Sequence, residues 1–143
     1  MISVVALDDQ AHDIYSGNDD YVFTAFTLSG GHCPTPTYSA IDTTNSLALP
    51  LNWLTFVDAT RTFSADSNNN NEAGTYTIEV TAEYADGTFV TDSFDYVLTP
   101  CLMTPNAITD VTYDIYSGSG TFAVTGFTMS GAHCPDPTYS ALE

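Results

Sequence analysis

The chain has 143 residues and a formal net charge of −17, with 18 acidic side chains against a single basic one, Arg61. That balance excludes the clustered cations that hold nucleic acid or an anionic membrane face, and the absence of Lys excludes Schiff-base chemistry and a phosphate loop ending in Gly-Lys. A hydrophobic fraction of 43%, with 13% aromatics, is enough to fill a core, so the acidity does not read as disorder; no apolar run approaches the ~20 residues of a membrane span.

From the N-terminus onward the pattern predicts short strands. Residues 21–28, 37–41, 53–57 and 61–64 are rich in Thr, Val and aromatics, and are separated by turn clusters such as Ser29-Gly30-Gly31 and Asp66-Ser67-Asn68-Asn69-Asn70-Asn71. The clearest strand follows, where Tyr76, Ile78, Val80 and Ala82 alternate with Thr75, Thr77, Glu79, Thr81 and Glu83. After the turn at Ala85-Asp86-Gly87, Phe94, Tyr96 and Leu98 alternate with Ser93, Asp95, Val97 and Thr99, which predicts the second arm of a hairpin. No stretch carries a capped 3.6-residue apolar period, so almost no helix is expected.

The end of the chain repeats its beginning. Residues 13–41 return at 114–142 with a constant offset of 101 and no gap, and 18 of the 29 aligned residues are identical. A period of that length matches one sandwich domain and not the short units of helical solenoids. Residues 1–101 therefore read as a complete repeat and 102–143 as the N-terminal portion of the next, a truncated copy of 1–42. The chain reads as a fragment of a longer array.

Between residues 38 and 98 five motifs occur in order: Tyr38-Ser39-Ala40, Leu49-Pro50-Leu51-Asn52-Trp53-Leu54-Thr55-Phe56, Thr60-Arg61-Thr62-Phe63-Ser64, the run from Gly74 to Ala82, and Asp92-Ser93-Phe94. This order resembles dystroglycan-type cadherin-like domains and the related Ig-like domains of bacterial surface proteins. The chain departs from that pattern at Ser64-Ala65-Asp66-Ser67, where the family has Ser-Gly-x-Pro, so a longer loop built by the Asn run is expected there. The resemblance implies an all-β, Ig-like or cadherin-like Greek-key sandwich of about seven strands, strung head to tail outside the cell or at its surface. Trp53 and Phe56 would be its aromatic anchors.

The same resemblance implies that the second strand begins and the last strand ends at one pole, so that Cys33 and Cys101 would form a disulfide. Pairing of Cys101 with Cys134, the repeat equivalent of Cys33, stays open. Two cysteines per repeat point to an oxidising, extracellular compartment. The cadherin-like likeness also makes calcium an expected ligand, held between consecutive domains by carboxylates. The donors would be Asp8, Asp9 and Asp13 near the first domain's start, Asp110 and Asp114 at the second's, and Glu83, Asp86 and Asp92 on the late hairpin. Calcium takes six to eight oxygens, so at least three carboxylates must converge; solvated surface charge is the plainer reading.

No catalytic constellation is expected. There is no nucleophile elbow, no partnered His for a triad and no cleft between paired carboxylates. The leading expectation is a non-catalytic structural or adhesive module whose partners are neighbouring repeats of the same protein. Because 113–142 nearly copies 12–41, head-to-tail self-association by strand donation is a further expectation. The alternative is a glycan- or protein-recognition module acting through loops 18–20, 43–48 and 66–72, with Tyr21 as its candidate aromatic.

Overall fold

A computed structural model describes residues 1–142. The strands are β1 (Ile2–Ser3), β2 (Gln10–Asp13), β3 (Asp19–Val22), β4 (Thr27–Leu28), β5 (Thr37–Asp42), β6 (Leu47–Ala48), β7 (Leu54–Val57), β8 (Thr62–Ala65), β9 (Gly74–Glu83), β10 (Phe89–Thr99), β11 (Leu102–Thr104) and β12 (Thr128–Ser130). The helical elements are two 3-10 turns, Asp58–Thr60 and Asn70–Glu72. β5, β7, β8, β9 and β10 lie where the sequence places strands, whereas the one expected over 21–28 is broken into β3 and β4, and the short β1, β2 and β6 lie outside the expected set; the chain is an all-β, Ig-like sandwich. A five-stranded sheet in the order β2-β10-β9-β5-β6 faces a three-stranded sheet in the order β3-β8-β7.

The hairpin β9–β10 organises the larger sheet. Its ladder runs from Glu83 opposite Phe89 to Gly74 opposite Leu98, and Gly87, at φ +83°, supplies the left-handed conformation that its turn requires. This register sends Ile78, Val80, Ala82, Phe94, Tyr96 and Leu98 to one face, where all are buried. From the other sheet Phe63, with no exposed surface, meets Phe56 at 4.6 Å and Phe94 at 5.3 Å between ring centroids. Trp53 lies between Tyr76 (4.7 Å) and Tyr96 (5.4 Å). Ala40, Ala65 and Ala82, all buried, leave the room that these rings occupy.

The first segment passes from a small two-stranded sheet of its own into the five-stranded one. β1 pairs antiparallel with β4, whereas β2 pairs parallel with β10, Gln10 opposite Tyr96 and Asp13 opposite Thr99. Between the two, side chains replace ladder bonds: Asp92 Oδ2 accepts from Leu7 N (3.0 Å) and Asp9 Oδ1 accepts from Asp95 N (2.9 Å). Because β2 runs along β10, the chain comes in at the pole holding the β9–β10 turn. It leaves at the opposite pole, past Thr99.

Beyond Cys101 only the β11–β12 pair forms among the described residues. Ile14 and Phe26 are 2% exposed, while their copies Ile115 and Phe127 are 78% and 40% exposed. The copied segment has no counterparts of β7–β10 to cover it.

Candidate functional site

Chemistry in this molecule concentrates at the two poles. At the C-terminal pole the Asn-rich loop acts as a clamp. Asn69 caps the short turn Asn70–Glu72 by accepting from Asn71 N, and this aims the Asn70 amide at the departing chain. Asn70 Oδ1 accepts from Cys101 N (2.9 Å) and its Nδ2 donates to Cys101 O (2.7 Å). Buried Ser67 donates to Glu72 Oε2 (2.7 Å) and gives its carbonyl to Tyr15 N (2.7 Å). The exit of the chain is thus held at Cys101 by the Asn70 amide, and the same loop is tied to Tyr15 through the Ser67 carbonyl.

Cys101 is bonded to Cys134, with their Cα atoms 5.5 Å apart, and Cys33 is free. The expected Cys33–Cys101 bond is therefore not made, and the reason lies in strand direction. Thr37, at the start of β5, is opposite Glu83, which is opposite Phe89 at the start of β10. Two antiparallel steps make β5 and β10 run the same way, so Cys33 sits at the pole where β10 begins. Cys101 lies beyond its far end, about 35 Å away at ~3.3 Å per residue.

The Cys101–Cys134 bond seats the hairpin of the copied segment against the exit pole. A crevice of about 70 Å³ remains between them, lined by Asp13, Ile14, Thr99, Pro100, Gly131 and His133. At the N-terminal pole a larger hollow of about 620 Å³ is lined by Met1, His32, Cys33, Pro34, Tyr84 and Asp86. Tyr84 is buried, and its hydroxyl has no hydrogen-bond partner. Burial, with the Cys33 thiol beside it, pushes that hydroxyl's pKa up. Across the hollow the Asp86 carboxyl is held below its usual range by its hydrogen bonds from Thr88.

The acids expected to gather around calcium are spread out. Asp9 and Asp92 serve as backbone acceptors along β10, and Asp8 N donates to the Tyr21 hydroxyl (3.2 Å). Asp13 ends β2 at the exit pole, Glu83 and Asp86 stand at the other, and Asp114 closes its own turn by accepting from Tyr116 N (3.0 Å). Asp110 lies in the irregular stretch after β11. Among the described residues no three His, Cys, Asp or Glu side chains are placed to hold a metal ion. Tyr21 is a strand residue packed on Phe63 and Phe94, not a loop aromatic. Sequence reasoning overlooked Asn70 and Tyr84; the Asn run signalled a loop, but nothing in it showed that one amide would grip Cys101.

No protein-family model matches this chain, and no curated protein is similar to it. Solved structures show a distant likeness. The PKD domain from the KIAA 1837 protein is 11% identical, with a TM-score of 0.41 over 67% of this chain and 84% of that one. The N-terminal four Ig domains of Dscam1 isoform 6.44 are 14% identical, with a TM-score of 0.41 over 71% of this chain and 24% of that one. CopC from Methylosinus trichosporium OB3b is 16% identical, with a TM-score of 0.33 over 70% of this chain and 95% of that one.

Proposed function

We propose that the chain is a non-catalytic structural module of an extracellular repeat protein, in which Ig-like sandwiches join head to tail into a rod. The observation that carries this reading is the placement of the two ends. The chain comes in beside the β9–β10 turn and leaves past Thr99 at the opposite pole, and a copy of its first segment follows at once. A unit so built adds length to an array and does not fold back. The disulfide supports an oxidising compartment, and no helix among the described residues is long and apolar enough to cross a membrane.

Small-angle scattering on chains carrying one, two and three copies of residues 1–101 tests the reading. The maximum dimension should grow linearly, by roughly the ~35 Å of an 11-residue strand per unit. A dimension that stays nearly constant would overturn it.

Calcium belongs to the same proposal. Asp13 at one unit's exit pole would meet the copies of Glu83 and Asp86 at the next unit's first pole only across a complete joint, while Asp110 and Asp114, the copies of Asp9 and Asp13, would lie along the next unit's sheet and at its far pole. A chain of two complete units should then melt at higher temperature with excess calcium than with chelator; equal melting temperatures would leave these acids as solvated charge.

Self-association has its own observation. Ile115, Tyr116 and Tyr139 are 78%, 92% and 58% exposed, although they copy residues packed in the sandwich. If these side chains seek the body of another copy, sedimentation will show concentration-dependent oligomers that vanish when residues 102–143 are removed. A monomer at every concentration would oppose strand donation.

A further inference from the structure

The two copies of the N-terminal segment build the same hairpin. Ile2 pairs with Leu28 and Ser3 with Thr27; at the offset of 101, Met103 pairs with Met129 and Thr104 with Thr128. Smaller contacts repeat as well. The Ser29 hydroxyl donates to Met1 O and that of Ser130 to Leu102 O. The free Cys33 thiol donates to Ser29 O at 3.0 Å, and the disulfide sulfur of Cys134, which has no hydrogen to donate, lies against the equivalent carbonyl of Ser130.

One difference separates them. Cys134 is bonded to Cys101, the residue immediately before Leu102, and Leu102 is the counterpart of Met1. Cys33 is free, and the Met1 amine, the atom to which a preceding residue would attach, stands 3.9 Å from its sulfur. A second observation marks this pole as unfinished. Tyr84, buried to 8% exposure, lines the hollow beside Cys33 with its hydroxyl unpartnered, whereas buried hydroxyls normally find a partner.

We infer that Cys33 is the receptor thiol of a joint between units: it forms a disulfide with a cysteine that directly precedes the position of Met1, the Cys101 of a preceding unit. This rests on the reading of the chain as joined units. The closed joint at Cys101–Cys134 shows the form it takes, with the hairpin seated on the exit pole of the unit before. Bond formation removes two protons and two electrons from the two thiols. Oxidised glutathione accepts them: one thiolate opens it to a mixed disulfide, the other displaces the remaining glutathione, and two glutathione thiols leave. Each joint then carries one covalent clasp between adjacent units, in addition to the peptide bond.

Two chains test this, refolded in a glutathione redox buffer, alkylated with iodoacetamide and mapped by mass spectrometry without reduction. The first carries Thr-Pro-Cys, the residues of positions 99–101, ahead of Met1. The second carries a whole copy of residues 1–101 there. In both, the added cysteine should be linked to the Cys33 that follows it; in the second chain the leading copy's own Cys33 should be alkylated, and replacing that copy's Cys101 in a Cys101→Ser variant should free the receptor thiol. Alkylated or glutathionylated Cys33 in the first chain, or linkage of Cys33 to the Cys101 of its own unit in the second, would overturn the inference. Scattering on the second chain reads the rod separately. A compact particle with the joint disulfide formed would sink the rod and keep the clasp; an extended one without it would do the reverse.

Discussion

At the scale of single residues the exit clamp is the most exposed claim. Asn70 makes two hydrogen bonds to the backbone of Cys101, each worth about 1 kcal/mol net. Asn70→Ala should therefore lower stability by about 1–2 kcal/mol in urea and speed hydrogen exchange at the Cys101 amide; unchanged exchange would show that the clamp does not hold the exit. Tyr96 gives a second residue-scale prediction. Burial, reinforced by Asp19 and Asp20, pushes its hydroxyl up to about 12 from an ordinary 10.0. The folded state thus keeps this phenol neutral where the unfolded chain would ionise it. That contribution to stability is complete below pH 10 and is lost as pH rises through 12. Alkaline unfolding should begin in this window, and Tyr96→Phe should move its onset upward.

At the scale of elements the alternation in β9 and β10 was legible because a strand with one buried face must alternate, and the core residues there are those that the pattern named. What alternation cannot carry is direction. It says which face a residue takes but not whether the neighbouring strand runs up or down, and the pole assigned to Cys33 depended on that. Nor could β1 and β2 be seen, since they are short and the segment between them is tied to β10 by carboxylates and not by a ladder. The exposed apolar residues of 115–139 show the same limit from the other side: a copied pattern copies the need for a partner, not the partner.

Two predictions belong to this scale. Phe63→Ala removes a ring with no exposed surface that touches both sheets and should cost about 3–5 kcal/mol. Reducing Cys101–Cys134 should leave the sandwich's unfolding free energy within about 0.5 kcal/mol, because only one of the bonded residues adjoins the sandwich and the closed loop lies outside it. A bond from Cys33 to Cys101 would instead enclose most of the sandwich and contribute roughly 4 kcal/mol. Denaturant curves with and without reductant separate the two.

At the scale of the whole molecule, a net charge of −17 would make neighbouring units of the proposed array repel, so that covalent links or bound cations, and not direct attraction between the units, would hold a joint. The repulsion is screened over ~8 Å at physiological salt and reaches ~30 Å at 0.01 M, which favours an extended array. Which cysteines are joined separates the two possible architectures, and the single Arg makes the pairing easy to read. Trypsin cuts this chain once, after Arg61, leaving Cys33 on one fragment and Cys101 with Cys134 on the other. Digestion in urea without reductant, with thiols blocked beforehand, should release two separate fragments, the first alkylated at Cys33. Fragments that stay together until reductant is added would mean that Cys33 bridges to the C-terminal part, and would contradict the opposite-pole architecture on which the account rests.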